Sequence, residues 1–287
     1  MKKTFIKNVA LSLESGRQVR RSFLRILNNM VKSLKEGNNQ SIYVYGPPGI
    51  GKTYSIKKVL DDNGVKYVFI SGNTSMFAFG ILLAVTNYLN KQNEKIIVFV
   101  DDCDMIFSNE TNCNIMKNVL AEPFIFTYEK ALQSQMGSLN ELQKAAIIFH
   151  QTEDKMGFAV PTSNLVFIFT SNYRLPTDDD VKSAREKNQN KSIMLSHKNA
   201  IRSRCNVADF DLPNHALWGW IADVVYESDC LNKYGMELSD KEEIVKYTRL
   251  KWNHLKERSL RLVEKMAIIK QTNPTEYKEM WDFQFLK

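Results

Sequence analysis

A chain of 287 residues with 44% hydrophobic content can bury one large core or two moderate ones, and no apolar run approaches the roughly 18 residues that a membrane span needs. The formal charge of +7 permits an anionic partner such as nucleic acid, although solvated lysines account for it equally well. Cys103, Cys113, Cys205 and Cys230 show no Cys-x-x-Cys spacing, and Cys103 reads as apolar filler in a strand, so a reducing, cytoplasmic compartment fits. The basic start, Met1 to Lys7, is broken by Lys7 and Asn8 before it reaches signal-peptide length, so secretion is not expected.

Val19, Phe23, Leu27, Met30, Val31 and Leu34 recur at helical spacing between a Ser15-Gly16 start and a Gly37-Asn38-Asn39 stop. The other face carries Arg17, Arg20, Arg21, Arg25, Lys32 and Lys35, which reads as a solvated face or as a contact for nucleic acid or an acidic neighbour. An apolar run, Ile42-Tyr43-Val44-Tyr45, then leads into Gly46-Pro47-Pro48-Gly49-Ile50-Gly51-Lys52-Thr53, and helical spacing resumes from Tyr54. This is a phosphate-binding P-loop. Glycines let the backbone curl around phosphates with successive N–H groups pointing inward, where a side chain would block the approach. Lys52 can reach the β- and γ-phosphates, and the Thr53 hydroxyl can hold Mg²⁺.

Asp61 to Gly64 forms a turn before a second strand, Val65 to Ile70, and a helix through Ile81, Leu82, Val85 and Leu89. Ile96-Ile97-Val98-Phe99-Val100 runs apolar without alternation, as a strand buried on both faces does, and ends in Asp101-Asp102. The alternation of strand and helix predicts a doubly wound α/β domain with a parallel sheet. Asp101, at the end of a buried strand, is expected to orient Mg²⁺, and Asp102 to polarise the attacking water.

With both motifs in place the chain resembles an AAA+ ATPase over roughly residues 40 to 270. Leu165 to Asn172 is similar to the family's sensor-1 strand, which implies that Asn172 faces the γ-phosphate. Ala200-Ile201-Arg202-Ser203-Arg204-Cys205 resembles the arginine-finger segment, and its Ser-Arg-Cys form is similar to that of clamp-loader subunits. The resemblance implies that Arg204, with Arg202 as a second candidate, reaches the nucleotide of an adjacent subunit in a homo-oligomeric ring, hexameric or similar. Ser259-Leu260-Arg261 resembles sensor 2, placing Arg261 on the phosphates of its own chain, with Arg258 one turn away as the alternative. ATP and Mg²⁺ are the implied cofactors.

Two departures from the family stand out. Asp102 occupies the place of a glutamate and is one methylene shorter, so the base is expected to sit far from its water, with hydrolysis either slow or carried through a water relay that fills the gap. A long segment, 105–164, precedes sensor 1, with helix-like runs at Asn114 to Leu120 and Leu139 to Phe149; it reads as a substrate-contacting element or as packing. The polar stretch Thr177 to His197, with Asp178-Asp179-Asp180, reads as a mobile loop. From Pro213, with Asn214 as the N-cap, the pattern is helical only, through Leu217, Trp218, Ile221, Ile244, Tyr247, Leu260, Val263, Met266 and Ile269. Residues 1–212 are therefore expected to form the nucleotide-binding domain and 213–287 a helical lid, with Tyr277, Met280, Trp281, Phe283 and Phe285 docking on the lid or on a neighbour.

Ser71 to Phe79 places small residues before two aromatics. In the family the equivalent loop faces the central pore, which makes Phe77 a candidate grip on a polymer; alternatively Phe77 and Phe79 belong to the buried face of the next helix. The expected activity is Mg²⁺-ATP hydrolysis that drives remodelling or movement of a macromolecule, single-stranded or double-stranded DNA in replication or recombination, or else a protein. A nucleotide-dependent assembly switch that barely hydrolyses is the alternative of a different class.

Overall fold

Helix α1 (Leu13–Lys35) opens the regular structure. The computed structural model describes residues 11–36, 41–72, 74–102, 104–129, 132–153, 156–187, 191–210 and 212–287. The Ser12 hydroxyl accepts a hydrogen bond from the Ser15 N–H at 3.2 Å and so caps α1, which places the expected start pair, Ser15 and Gly16, inside the first turn. The expected stop at Gly37-Asn38-Asn39 and the apolar role expected of Cys103 lie outside the described residues. Among those residues no helix is long and apolar enough to cross a membrane.

The chain continues as β1 (Ser41–Tyr45), α2 (Lys52–Asp62), β2 (Tyr67–Ser71), α3 (Met76–Leu89), β3 (Ile96–Asp101), α4 (Glu110–Leu120), β4 (Ile125–Tyr128), α5 (Gln133–Met136), α6 (Glu141–Phe149) and β5 (Phe158–Pro161). It goes on as β6 (Leu165–Ser171), α7 (Asp178–Glu186), α8 (Ser192–Arg202) and β7 (Cys205–Asp209). Four helices close it: α9 (Asn214–Glu227), α10 (Leu238–Lys251), α11 (Leu260–Thr272) and α12 (Tyr277–Phe285).

Five strands form a parallel sheet in the order β2-β3-β6-β1-β7. Ile42 of β1 stands opposite Ile168 of β6 on one side and Asn206 of β7 on the other. β1 and β6 are buried at every position, which explains their unbroken apolar runs, whereas β2 at the edge is only half-buried. β3, β6 and β1 are neighbours and parallel, so their carboxyl ends lie side by side, where open α/β sheets place ligands. Gly46, Asp101 and Asn172 stand at or just past those ends.

Part of the segment 105–164 packs into the core beside α3. β4 and β5 pair antiparallel, with Phe126 opposite Val160, and the Phe126 and Phe158 rings lie against Gly80 of α3. A Cβ on Gly80 would come within 2.4 Å of the Phe126 ring, so the strand pair seats there because that residue has none. The stretch expected as a mobile loop, 177–197, is largely helical instead. Thr177 caps α7 in a capping box with Asp180, and Asp178, Asp179 and Asp180 fill the first turn, where carboxylates favour the helix dipole.

The structure falls into two compact units, one of Leu27–Gly46 with Thr53–Phe210 and the other of Pro47–Lys52 with Asp211–Lys287 and the N-terminal residues to Ile26. Within the second, α1 and α9 cross in backbone contact: a Cβ on Gly16 would lie 1.9 Å from the Gly219 carbonyl carbon. Arg17 and Arg20 of α1 clasp the buried Asp223 carboxylate of α9 at 2.8 and 2.9 Å, so two arginines of the face expected to be solvated are structural. Trp281 of α12 is fully buried, with its Nε1–H donating to Met266 O at 3.1 Å, while Phe283 stays exposed.

Candidate nucleotide-binding site

Gly46 N–H donates to Ser171 O at 3.2 Å, continuing the β1 ladder into the first residue of the loop. Gly49 and Gly51 hold φ of 73° and 89°, left-handed values that glycine adopts without strain. A Cβ on Gly49 would lie 3.0 Å from Ser259 Cβ and 3.3 Å from Arg261 Cγ, and one on Gly51 would lie 3.1 Å from Leu260 Cδ1. The start of α11 therefore rests directly on the loop. Leu260 N–H donates to Gly49 O at 2.8 Å and Trp220 Nε1–H to Ile50 O at 3.0 Å. Because the two ends of a planar trans peptide point opposite ways, drawing these carbonyls to one side turns the following N–H groups to the other. Pro47 and Pro48 fix the backbone just before the bend. Buried Lys52 curls over the loop, its Nζ donating to Pro47 O at 3.0 Å, and Tyr54, one residue past Thr53, is half exposed.

Thr53 Oγ1 donates to Asp101 Oδ1 at 2.7 Å, and Thr170 Oγ1 donates to the same oxygen. A hydroxyl and a carboxylate held this close are hard oxygen ligands of the kind Mg²⁺ prefers. Asp102 differs from its neighbour. It is exposed, has φ of 50°, and is held by its backbone, whose N–H lies 3.2 Å from both the carbonyl and the hydroxyl oxygens of Thr170. Aspartate is among the few non-glycine residues that tolerate this conformation.

A network that sequence reasoning did not single out fixes the backbone beside Asn172. Ser171 Oγ donates to Asp104 Oδ1 and accepts from Tyr173 N–H at 2.9 Å, while Tyr43 Oη donates to Tyr173 O at 2.9 Å. The residues on both sides of Asn172 are thus tied to β1 and to the turn after β3, and Asn172 itself is exposed. The signal in the sequence was Asp104, two residues beyond Asp102, together with a serine next to Asn172.

The arginines separate into two groups. Arg261 is exposed beside Gly49. Arg258, its alternative, is engaged elsewhere: Nε donates to Trp252 O at 3.0 Å, Nη1 donates to Asn214 Oδ1 at 3.1 Å, and the guanidinium stacks over the Trp252 ring. Asn214 is accordingly the first residue of α9, not its cap; Pro213 takes that position and the Asn214 amide serves Arg258. Arg202 Nη1 donates to Leu175 O at 3.2 Å, and Arg204 Nη1 donates to Ala200 O, so both finger candidates lie folded on their own chain. Phe77 is not on a projecting loop. It lies in the first turn of α3 with its ring 5.1 Å from Tyr128 and 6.4 Å from Phe158, and Phe79 is fully buried.

The left-handed glycines and the buried lysine fit the phosphates of a nucleoside triphosphate, although burial of Lys52 against Pro47 requires the ammonium to swing off that carbonyl to meet one, and the Thr53–Asp101 pair, taken by itself, fits Mg²⁺. The model of the AAA family, "ATPase family associated with various cellular activities", matches residues 42–190, just over half of the chain. The chain is also similar to an uncharacterized 36.7 kDa protein of the nrdC–mobD intergenic region of Enterobacteria phage T4, at 23% identity over 258 residues that cover 89% of this chain and 71% of the phage protein. With the P-loop, the strand-end aspartate and the strands β1, β2, β3 and β6 of the parallel sheet in the span of the family match, the chain belongs to the AAA family of P-loop ATPases.

Proposed function

We propose that the chain hydrolyses ATP with Mg²⁺, acting as a homo-oligomeric ring or spiral that remodels or moves a macromolecule, with residues 1–212 as the nucleotide-binding domain and 213–287 as its lid. The observation that supports this reading is the Thr53–Asp101 pair at 2.7 Å, in a chain whose preceding loop holds Gly49 and Gly51 in left-handed conformations. Gly46, Pro47, Pro48, Gly49, Ile50, Gly51, Lys52 and Thr53 hold the phosphates, Arg261 meets them from α11, Asn172 orients the γ-phosphate, and Arg204 serves a neighbouring copy. The charge of +7 favours a nucleic-acid substrate, with Arg17 and Arg20 removed from the candidate contacts by their pairing with Asp223. Turnover measured against protein concentration, with and without single-stranded DNA, tests the reading: Mg²⁺-dependent hydrolysis that rises per chain with concentration supports it. Absence of Mg²⁺-dependent ATP binding overturns it.

One observation favours a second reading, in which ATP binding assembles the oligomer and hydrolysis is slow. Asp102 is short, exposed and held in a left-handed backbone, a poor placement for a base that must come within ~3 Å of its water. Asp102→Glu then raises turnover, whereas Asp102→Asn leaves assembly intact, as measured by size-exclusion chromatography with ATP. If Asp102→Asn hydrolyses ATP at the original rate, residue 102 is not the base.

A further inference from the structure

The groove beside β4 combines three properties. First, among the described residues β4 is paired along one edge only, by β5. Thr162 N–H donates to Phe124 O, and Ala159 N–H turns away from β4 to donate to His150 O. In an antiparallel pair the bonded positions alternate, so Phe126 and Tyr128 direct their backbone groups to β5 while Ile125 and Thr127 direct theirs outward. Second, the other edge faces a cleft of about 610 Å³ whose far wall is α4, and no residue of β5 lines it. Third, the far wall is uncharged and rich in hydrogen-bonding groups. Thr111, Asn114 and Asn118 lie at helical spacing on the exposed face of α4, opposite the buried Cys113, Met116 and Val119. Each asparagine amide can both donate and accept, so it suits the alternating N–H and C=O groups of a main chain in either direction.

We propose that this groove binds an extended polypeptide segment, which adds as a strand to the outer edge of β4 while the asparagines of α4 bond its other edge. Among the described lining residues there is no lysine or arginine, and the one charge is Glu129, so the groove lacks what a phosphate backbone requires and matches a neutral segment carrying a basic residue. Ile125 and Ile115 supply the apolar contacts that alternate side chains of such a segment would cover. The inference goes beyond the ATPase reading and does not depend on it, because no group of the nucleotide site takes part.

The test is fluorescence anisotropy with a labelled peptide of alternating threonine and valine carrying a lysine at each end, run without nucleotide. Saturable binding is expected. Thr127→Pro removes an outward N–H that the β4–β5 ladder does not use, a position where an edge strand tolerates proline, and should weaken binding by about tenfold, the effect of losing a main-chain bond and its register. Asn114→Ala with Asn118→Ala, both on an exposed helix face, should weaken it similarly. The same peptide methylated at alternate backbone nitrogens should fail to bind the unaltered chain, a control that requires no variant to fold. The proposal is overturned if the peptide does not bind, if the methylated peptide binds equally well, or if the asparagine variant loses affinity for oligothymidylate and keeps it for the peptide.

Discussion

The P-loop and the segment Ala200 to Cys205 each carry basic side chains, Lys52 in one and Arg202 and Arg204 in the other, and the chain holds them differently. The loop has its glycines in left-handed conformations and its carbonyls taken by Leu260 and Trp220 within a single chain. The finger candidates instead have donors on the carbonyls of Leu175 and Ala200, and the Arg204 Nε is buried with no hydrogen-bond partner among the described residues. Ala200 O belongs to the last turn of α8, where the helix dipole favours a cation by only a fraction of a kcal/mol to about 1 kcal/mol, and a triphosphate competes easily with that. The loop is shaped by contacts within one chain, whereas Arg204, in its proposed role as a finger, needs an anion to draw it off the Ala200 carbonyl.

The comparison breaks most completely at Lys52. Lys52→Ala removes the principal cation of the loop and should abolish measurable binding of a fluorescent ATP analogue while the circular dichroism spectrum is retained. Unchanged affinity would mean that the loop holds something other than phosphates. Arg204→Ala should keep ATP affinity and lower turnover by roughly 10³ or more, the scale of such fingers. Mixing Arg204→Ala with Lys52→Ala should then restore activity, since an intact loop can meet an intact finger only across two chains. No recovery on mixing would return Arg204 to the status of a helix-end arginine.

A smaller effect sharpens the loop side. Ser171→Ala unties Tyr173 N–H and frees the backbone next to Asn172, so turnover should fall by about tenfold at unchanged ATP affinity, and Ser171→Thr should restore it. Equal turnover in the alanine variant would show that the Asp104–Ser171 bond does not serve Asn172. The smallest effect is on stability and lies far from the phosphates. Burial pushes the Glu243 carboxyl up, but bonds from Lys270, Lys278 and Tyr277 outweigh it and hold the group at about 2. A depressed folded-state value contributes stability above the unfolded value near 4.3, and that stability is lost as the pH falls through the range from there to about 2. Glu243→Gln should cost about 1 kcal/mol at neutral pH and flatten the acid limb of the thermal midpoint. An identical acid limb in the variant would remove this cluster from the account.

What the sequence made legible was whatever depends on local chemistry. The P-loop, the strand ending in Asp101 and the alternation behind the parallel sheet each declare themselves within a dozen residues. The misreadings have a common cause, which is that their deciding partner is distant in sequence. Ser15 and Gly16 looked like a helix start because Gly219, which requires that glycine, lies more than two hundred positions on. For Phe77 the sequence left a pore-facing aromatic and a helix-face residue both open, because the strands that receive its ring, with Tyr128 and Phe158, arrive much later in the chain. Asn214 looked like a cap until Arg258 claimed its amide. The loop expected at 177–197 is the exception, for Thr177 and Asp180 spell a capping box that composition obscured.

The Gly16–Gly219 crossing carries a consequence for descent. With a Cβ on Gly16 placed 1.9 Å from one backbone atom and a Cβ on Gly219 placed 2.1 Å from Ser12 O, neither position accepts even alanine unless α1 separates from α9. Once one of the two has changed and the helices have parted, nothing holds the other. Among diverging copies of this chain the two glycines should therefore persist together or vanish together, a paired inheritance that tracks whether the first helix still lies on the ninth and is independent of whether the nucleotide motifs survive.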